Sequence, residues 1–264
     1  KISSNYLDNI TEGYPGGGYR SGIEVVGLNN CRVNADIRYN TVNNSLNNGI
    51  LLAGGDLPAR GMVANNRISR GHPMNLDHVG IELNNTIGTP VMRNTITHFA
   101  GAGIRVLDSY SSRIVENLIH NTSVNHTDPR EIFGAIVLDN TNGTEVRHNR
   151  IVNSSFGINL FGYSSENSVL NNTLEIFFVG TIFQIQSDNN TARNNTYNGG
   201  YVGMLPGYGS SNNTVSGNHV SETTVGIYSI FSNDITIEGC EVHGSEMFGI
   251  SVIENRGAAV SDNR

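Results

Sequence analysis

The residues of this chain that could carry out chemistry are concentrated in its first half. Glu82 and Arg105 stand at the same place in two consecutive segments, each two residues after a glycine, and most of the eight histidines lie nearby. A guanidinium can neutralise the carboxylate of a sugar acid while a carboxylate or an imidazole moves the proton beside it. Glu82, Arg105 and a histidine could therefore serve the lysis or the epimerisation of a uronan.

We predict a groove whose floor is Glu82 and Arg105 and whose rim carries His78 or His120. The candidate catalytic residues are Glu82, Arg105, His78, Asp108 and His120. The candidate substrate-binding residues are Asp77, His98, Asp128, Asp139 and Asn159. Two alternatives stay open. Glu82 and Asp108 could be the paired carboxylates of a glycoside hydrolase, or Glu82 and Arg105 could form an ordinary surface ion pair.

The sequence indicates no metal ion and no cofactor. Asp108 and Asp139 supply two carboxylates, whereas Ca²⁺ takes about six to eight oxygen ligands, so calcium stays open and is not indicated. The histidines show no close His-x-His spacing, and we therefore predict no transition-metal site.

A glycine recurs at a fixed interval and divides the chain into units. It stands at positions 22, 49, 80, 103, 134, 157, 180, 203, 226 and 249, with a basic step of 23 residues. An asparagine two residues before an apolar residue recurs in the same register, from Asn40 to Asn218, and Cys240 takes this place once. A period of this length is typical of a solenoid, in which each unit buries its apolar face against the next.

Each unit contains short strands with alternating apolar residues and no helical periodicity, which predicts a parallel β-helix. Stacked strands lie about 4.8 Å apart, so equivalent side chains stand over one another. The outward positions after the glycine are predicted to be Glu24, Leu51, Glu82, Arg105, Val137, Asn159 and Phe183. The recurring asparagine should face inward and bond to its neighbours in the stack, so most of the 38 asparagines are predicted to be scaffold.

The pattern Gly-Ile-x-Val/Leu followed by Asn-x-Ile resembles the right-handed parallel β-helix repeat of the pectate-lyase-like superfamily. The resemblance covers essentially the whole chain and implies an all-β, single-stranded right-handed parallel β-helix of about ten coils. The superfamily includes polysaccharide lyases, glycoside hydrolases, uronan epimerases, viral tailspikes and surface proteins, so the resemblance is far less specific for function than for fold.

The resemblance implies an extracellular or cell-surface protein directed at a polysaccharide or surface glycan. We expect a lyase or an epimerase acting near residues 80–102. The alternative is a non-catalytic surface, filament or viral-fibre rod.

We predict one domain over residues 1–264, as part of a longer polypeptide, with a loop-decorated half (1–133) and a plain half (134–264). The extra residues that interrupt the repeat all enter before the glycine, so they should stack on one edge of the rod. Loops on a regular scaffold often carry function, which favours a site in the first half. The edges of a β-helix can pair with other strands, so self-assembly end to end or laterally is also expected.

Composition excludes several classes of partner. The net charge of −7 argues against nucleic-acid binding. The sequence contains no apolar run long enough to span a membrane. Cys31 and Cys240 would be about eight coils apart, so no disulfide is expected between them.

Asparagines in the glycosylation motif Asn-x-Ser/Thr recur along the chain. The candidate sites for N-glycans are Asn84, Asn121, Asn125 and Asn142. The string Asn-Asn-Thr also suits the turns of a β-helix, so the motif would occur here without glycosylation.

Overall fold

A computed structural model describes residues 1–8, 21–28, 30–45, 47–69, 78–123 and 133–264. Every pairing between its strands is parallel, and each strand pairs with its equivalent one unit further along the chain. The fold is therefore the predicted parallel β-helix of about ten coils. Within these ranges the secondary structure is entirely β, and no helix of the length and hydrophobicity needed to cross a membrane occurs.

These described residues form 29 strands, most of them three to five residues long. In chain order they are β1 Ile2–Ser3, β2 Tyr6–Leu7, β3 Ile23–Val26, β4 Asn34–Arg38, β5 Thr41–Asn43, β6 Ile50–Ala53, β7 Arg60–Ala64, β8 Arg67–Ser69, β9 Ile81–Asn84, β10 Pro90–Met92, β11 Thr95–Phe99, β12 Ile104–Leu107, β13 Arg113–Val115, β14 Leu118–Thr122, β15 Ile136–Asp139, β16 Glu145–Arg147, β17 Arg150–Phe161, β18 Ser168–Leu170, β19 Thr173–Gln184, β20 Thr191–Arg193, β21 Thr196–Asn198, β22 Val202–Tyr208, β23 Thr214–Ser216, β24 His219–Ser221, β25 Val225–Ile230, β26 Thr236–Glu238, β27 Glu241–His243, β28 Phe248–Ile253 and β29 Ala259–Ser261.

The strands form three faces of the rod. The first face follows the repeating glycine and contains β3, β6, β9, β12, β15, β22, β25 and β28. The second face is an eleven-stranded sheet that runs from β1 to β29. The third face precedes the glycine and contains β2, β5, β8, β11, β14, β21, β24 and β27. The long strands β17 and β19 run through the third and first faces, which joins both faces into one eighteen-stranded sheet.

The core is built from inward side chains that repeat along the stack. On the first face Ile50, Ile81, Ile104, Ile136 and Ile158 are successive partners. None of them has exposed surface. Because side chains alternate between the two sides of a strand, the residue that follows each of these isoleucines points outward. Burying one such side chain stabilises the fold by about 2 kcal/mol, and each coil repeats this gain.

A ladder of asparagines fills one buried corner of the coils, as predicted. Asn195 Oδ1 accepts hydrogen bonds from the backbone amide and from Nδ2 of Asn172, both at 2.9 Å. Asn195 Nδ2 in turn donates to the Val169 carbonyl oxygen at 2.8 Å and to Asn218 Oδ1 at 3.0 Å. The buried members are Asn40, Asn66, Asn94, Asn117, Asn149, Asn172, Asn195 and Asn218, and the exposed Asn5 makes the same bonds to Asn40 at the first coil. The bonds satisfy backbone groups that the bend at the corner removes from the sheets.

A second, shorter ladder of asparagines occupies another corner of the coils. The sequence pattern did not distinguish its members from ordinary turn residues. Asn190 Oδ1 accepts from the amide of Asn167 at 2.9 Å, and Asn213 Oδ1 accepts from the amide of Asn190 at 2.8 Å. Thr144 continues the position one coil earlier, where its amide donates to Asn167 Oδ1 at 2.8 Å. Asparagine side chains therefore bond to buried backbone groups at two bends of each coil in this part of the rod.

The repeating glycine is required by close packing between coils. A Cβ atom on Gly180 would lie 2.2 Å from the Gly203 carbonyl oxygen and 2.4 Å from Tyr197 Cδ1. The predicted glycine at 134 is an exception, because Ala135 rather than Gly134 takes this place in the strand register.

The outward column after the glycine also differs from the prediction at one position. Ile182, and not Phe183, pairs with Asn159, while Phe183 is buried in the core. The prediction of an outward Phe183 was wrong by one residue, and a shift of one residue in a strand reverses the side on which a side chain lies.

The two cysteines are both free, as expected from their separation. Cys31 is exposed, whereas Cys240 is buried and follows Asn218 in the asparagine ladder, with its Sγ 3.9 Å from Asn218 Nδ2. Burial raises the pKa of the Cys240 thiol, which lowers the thiolate concentration at neutral pH.

Replacing Asn195 with Ala should lower the free energy of unfolding by about 3 kcal/mol, because it leaves the Asn172 backbone amide buried without its partner and removes the side-chain hydrogen bonds to Asn172, Val169 and Asn218. Urea denaturation followed by circular dichroism measures the change. Asn198→Ala is the matched control, since Asn198 is exposed three residues away. Equal stability of the two variants would contradict a structural role for the ladder.

Only Cys31 should react with a maleimide while the protein is folded, because the Cys240 thiol is buried and poorly ionised. Mass spectrometry should find one label per native chain and two labels after unfolding. Cys31→Ser provides the control and should take up no label until the protein unfolds. Rapid native labelling of that variant would show that Cys240 is accessible.

Candidate functional site

An open groove of about 710 Å³ crosses the first face over β3, β6, β9 and β12. One outward column of side chains runs along its floor in the order of strand pairing: Glu24, Leu51, Glu82 and Arg105. The other lining residues are Val26, Leu28, Asn47, Asn48, Ala53, Gly54 and Asn84. The groove thus contains the predicted pair Glu82 and Arg105, and it extends from them toward the N-terminal coils.

The polar centre of the groove is an ion pair positioned by the strand register. Glu82 and Arg105 are direct partners on β9 and β12, and Arg105 Nη2 donates to Glu82 Oε2 at 2.7 Å. Asn48 Nδ2 donates to the same oxygen at 3.2 Å. The Glu82 side chain is 9% exposed and the Arg105 side chain is 28% exposed. The Glu82 carboxylate is therefore fixed and more buried than the guanidinium, which reaches the groove.

Hydrogen-bonding capacity remains at this centre. Within the described ranges, Arg105 Nε and Asn48 Oδ1 are buried atoms that have no hydrogen-bond partner. A guanidinium carries five N–H donors, and the ion pair with Glu82 uses one of them. The partly exposed guanidinium can therefore donate further hydrogen bonds to an acceptor on a ligand in the groove.

Two carboxylates and one guanidinium set the charge of the groove. Glu24 is exposed at the N-terminal end of the column, and the apolar Leu51 lies between Glu24 and Glu82. Two strand spacings separate the two glutamates, which corresponds to about 9.6 Å between their backbones. Among the described residues Glu82 is ion-paired and Glu24 is not, so the groove can present two different carboxylates to one bound chain.

Asp108 directly follows β12, and Asp139 is the last residue of β15, so both lie to one side of the column at the ends of their strands. Asp139 is half-buried, and its pKa is raised by burial and by the nearby Asp108, while Arg105 acts in the opposite direction. Asp108 is exposed and accepts a hydrogen bond from Asn140 Nδ2 at 2.6 Å. Neither aspartate is among the described residues that line the groove.

The structure brings two of the predicted histidines together, on a different face from Glu82. His98 on β11 and His120 on β14 belong to the third face, and their ring centroids are 6.1 Å apart. Nε2 of His98 lies 3.0 Å from Asn121 Nδ2, and Nε2 of His120 lies 3.4 Å from Asn153 Nδ2. These two side chains therefore form a polar cluster of their own.

His78 and Asn159, two further candidates, are buried. His78 is only 2% exposed, so its ring does not form an open rim. Asn159 is 1% exposed and lies in the same outward column as Arg105, two coils further on. Its Nδ2 donates to the Phe133 carbonyl oxygen at 3.0 Å, and its Oδ1 accepts from Gln184 at 3.1 Å, so its amide is already engaged.

Some predicted residues lie outside the described part of the chain, namely Asp77, Asp128 and Asn125. The other glycosylation candidates are placed. Asn84 is half-buried within the groove, so a glycan there would obstruct it. Asn121 contacts His98, and Asn142 is half-buried in an isolated β-bridge. Glycosylation at these positions stays a prediction.

Asn48 is the main groove residue that sequence reasoning missed. It immediately precedes the repeating glycine, where the next coils carry Val79 and Ala102. All three are buried. An amide side chain at a position where the next two coils carry apolar residues was the available signal, and Glu82 is the partner that explains it.

Solved structures with the same fold are similar to this chain at low sequence identity. DFA-IIIase from Arthrobacter chlorophenolicus A6 without its lid has a TM-score of 0.59 and 15% identity, with 92% of this chain and 71% of that chain covered. Another structure of DFA-IIIase from the same organism has a TM-score of 0.55 and 13% identity, with 92% of this chain and 60% of that chain covered. This chain therefore spans about three fifths of that enzyme.

A mutant of the periplasmic alginate epimerase AlgG is also similar, with a TM-score of 0.57 and 11% identity. The comparison covers 90% of this chain and 77% of the epimerase. At these identities the similarity establishes the fold alone.

No sequence of a curated protein matches this chain. The family model described as "Right handed beta helix region" matches residues 1–174 and 179–264, which is nearly the whole sequence. That match agrees with the strand order, the parallel register and the asparagine ladder. The chain therefore belongs to the right-handed β-helix family.

Proposed function

We propose that this protein binds a uronic-acid polysaccharide in the groove on the first face and acts on it as a lyase or an epimerase. The observation that carries the proposal is the ion pair of Glu82 and Arg105, at 2.7 Å, on the floor of an open groove. The pair combines a cation that can bind a sugar carboxylate with a fixed carboxylate that can accept a proton.

In the proposed mechanism, Arg105 pairs with the carboxylate of the bound sugar through donors that Glu82 does not use. This pairing stabilises the negative charge that develops when the proton at C5 leaves. Both hydrogen bonds of Glu82 involve Oε2, so within the described residues Oε1 is available to accept that proton. In lysis the C4–O bond then breaks, the leaving oxygen takes a proton from Glu82 or from water, and an unsaturated uronate remains. In epimerisation the C4–O bond stays intact, and water delivers a proton to the other side of C5 while Glu82 keeps the proton that it removed.

The structural similarity supports this class of substrate, because one protein of the same fold is an alginate epimerase and alginate is a uronan. The periplasmic location of that enzyme also agrees with the extracellular or cell-surface location that we propose. The shape of the groove is consistent with a chain-like ligand, since the polar side chains of its floor follow one another along the rod axis.

A second candidate reaction is hydrolysis of a glycosidic bond by Glu24 and Glu82. Inverting glycosidases place their two carboxyl groups about 6.5–9.5 Å apart. The backbones of these two glutamates are about 9.6 Å apart, and their side chains can bring the carboxyl groups within that range. Glu24 replaces Asp108, the partner suggested by the sequence, because Glu24 lies in the groove.

Incubation with alginate, pectate and other uronans should yield either an absorbing unsaturated uronate or, by NMR, a change in C5 configuration. Glu82→Gln and Arg105→Gln should each lower kcat/KM by at least 100-fold, since they remove the base and the cation. Arg93→Gln and Glu116→Gln are matched controls, because those residues form a similar ion pair at 2.6 Å on adjacent coils elsewhere. Full activity in the Glu82 and Arg105 variants would exclude the groove as the active site.

Binding without turnover has a separate signature. A glycan that binds to the wild type and not to Arg105→Gln, with no product formed, would identify a non-catalytic carbohydrate-binding rod. The absence of any binding across the panel would favour a structural role for the rod.

Glu24→Gln distinguishes the two reactions. For lysis or epimerisation we expect activity within about threefold of the wild type, because Glu24 is two coils from Glu82. For hydrolysis we expect the release of reducing ends to fall by at least 100-fold, without formation of an unsaturated product in any variant.

A further inference from the structure

Two histidines and a glutamate form a compact cluster on the third face, far from the groove. His219 on β24 is the direct strand partner of Glu241 on β27. His243 follows Glu241 by two residues and therefore lies on the same side of the strand. All three side chains are partly exposed, at 43% for His219, 32% for Glu241 and 54% for His243. Solvent can reach the cluster without a change in the fold.

The glutamate carboxylate lies between the two imidazole rings. His219 Nδ1 is 3.3 Å from Glu241 Oε2, and His243 Nε2 is 2.7 Å from Glu241 Oε1. The ring centroids are 5.6 Å apart. One nitrogen of each histidine and one carboxylate oxygen all lie within 4.8 Å of one another.

We propose that His219, Glu241 and His243 bind a divalent transition-metal ion such as Zn²⁺. Imidazole nitrogen and carboxylate oxygen are ligands that Zn²⁺ accepts at about 2.0–2.2 Å, and ligand atoms around a tetrahedral ion are then about 3.3 Å apart. The His219 nitrogen lies 3.3 Å from one Glu241 oxygen, and the His243 nitrogen lies 2.7 Å from the other. Small side-chain rotations would bring both nitrogens and one of these oxygens to that spacing. Ca²⁺ prefers a larger set of oxygen ligands, so it fits this cluster poorly.

Arg264 occupies part of the space that the ion would need. Its Nη2 lies 3.1 Å from Glu241 Oε1. Because the Arg264 side chain is 78% exposed, the guanidinium can move away from this oxygen when an ion binds. The guanidinium is thus a competitor for the same oxygen.

The site would join two consecutive coils. His219 belongs to one coil, whereas Glu241 and His243 belong to the next, so a bound ion would cross-link β24 and β27. Three protein ligands leave at least one coordination position for water or another molecule. The cluster lies on a different face from Glu82 and about five coils, or roughly 24 Å, along the axis, so it does not depend on the proposed function.

Isothermal titration of the full chain with ZnCl₂ should show one tight equivalent. His219→Ala, Glu241→Gln and His243→Ala should each weaken binding by at least tenfold. His148→Ala is the matched control, because it removes an exposed histidine elsewhere on the rod, and it should change affinity less than twofold. Co²⁺ in place of Zn²⁺ should produce visible absorption bands that are lost in the same three variants.

Arg264→Gln tests the site in the opposite direction. Removing the competing guanidinium should strengthen Zn²⁺ binding several-fold, an effect that a general loss of structure would not produce. Circular dichroism should show the same spectrum for all variants.

Three results would overturn the proposal. One is the absence of a bound equivalent at millimolar Zn²⁺, and another is unchanged affinity in the three ligand variants. The third is Ca²⁺ binding as tight as Zn²⁺ binding at the cluster.

Discussion

The buried bends of each coil impose the constraint on which the rest of this structure depends. Where the chain turns between faces, backbone amides and carbonyls leave the sheets but stay away from water, and such groups must find partners. Asparagine carries both a donor and an acceptor on a short side chain, so one residue bonds the coil before it, the coil after it and the bend itself. The chain of bonds from Asn40 to Asn218 therefore holds the coils in register as well as satisfying their polar groups.

The groove is a consequence of that register. Because successive coils align residue over residue, the outward residues of one column together form a continuous strip of surface. Most of the column that follows the glycine is apolar or amide-bearing, but Glu24, Glu82 and Arg105 place three charges within four coils. Asn48, in the neighbouring column, donates a hydrogen bond to Glu82 and so helps to fix its carboxylate. A rigid scaffold thus positions the ion pair without a loop.

The same alignment explains the cluster of His219, Glu241 and His243 on the opposite half of the rod. Residues that are distant in sequence become strand neighbours one coil apart, and alternation adds the residue two positions away. Neither cluster alters the core or the ladders, since both use outward positions. This separation allows proteins of one fold to differ in chemistry, and it is the reason that fold similarity to DFA-IIIase or AlgG does not transfer an activity.

The sequence alone determined the fold, the period, the main asparagine ladder and the free state of both cysteines, because these depend on features repeated in every coil. It also predicted that Glu82 and Arg105 would be stacked neighbours. The single-residue shift at Ala135, the burial of Phe183 and His78, and the role of Asn48 were decided only by the tertiary structure. Each depends on local register or on packing between columns, which a repeat pattern does not encode. The assignment of His98 and His120 to another face has the same cause: distance along the chain does not specify the side of the rod to which a strand belongs.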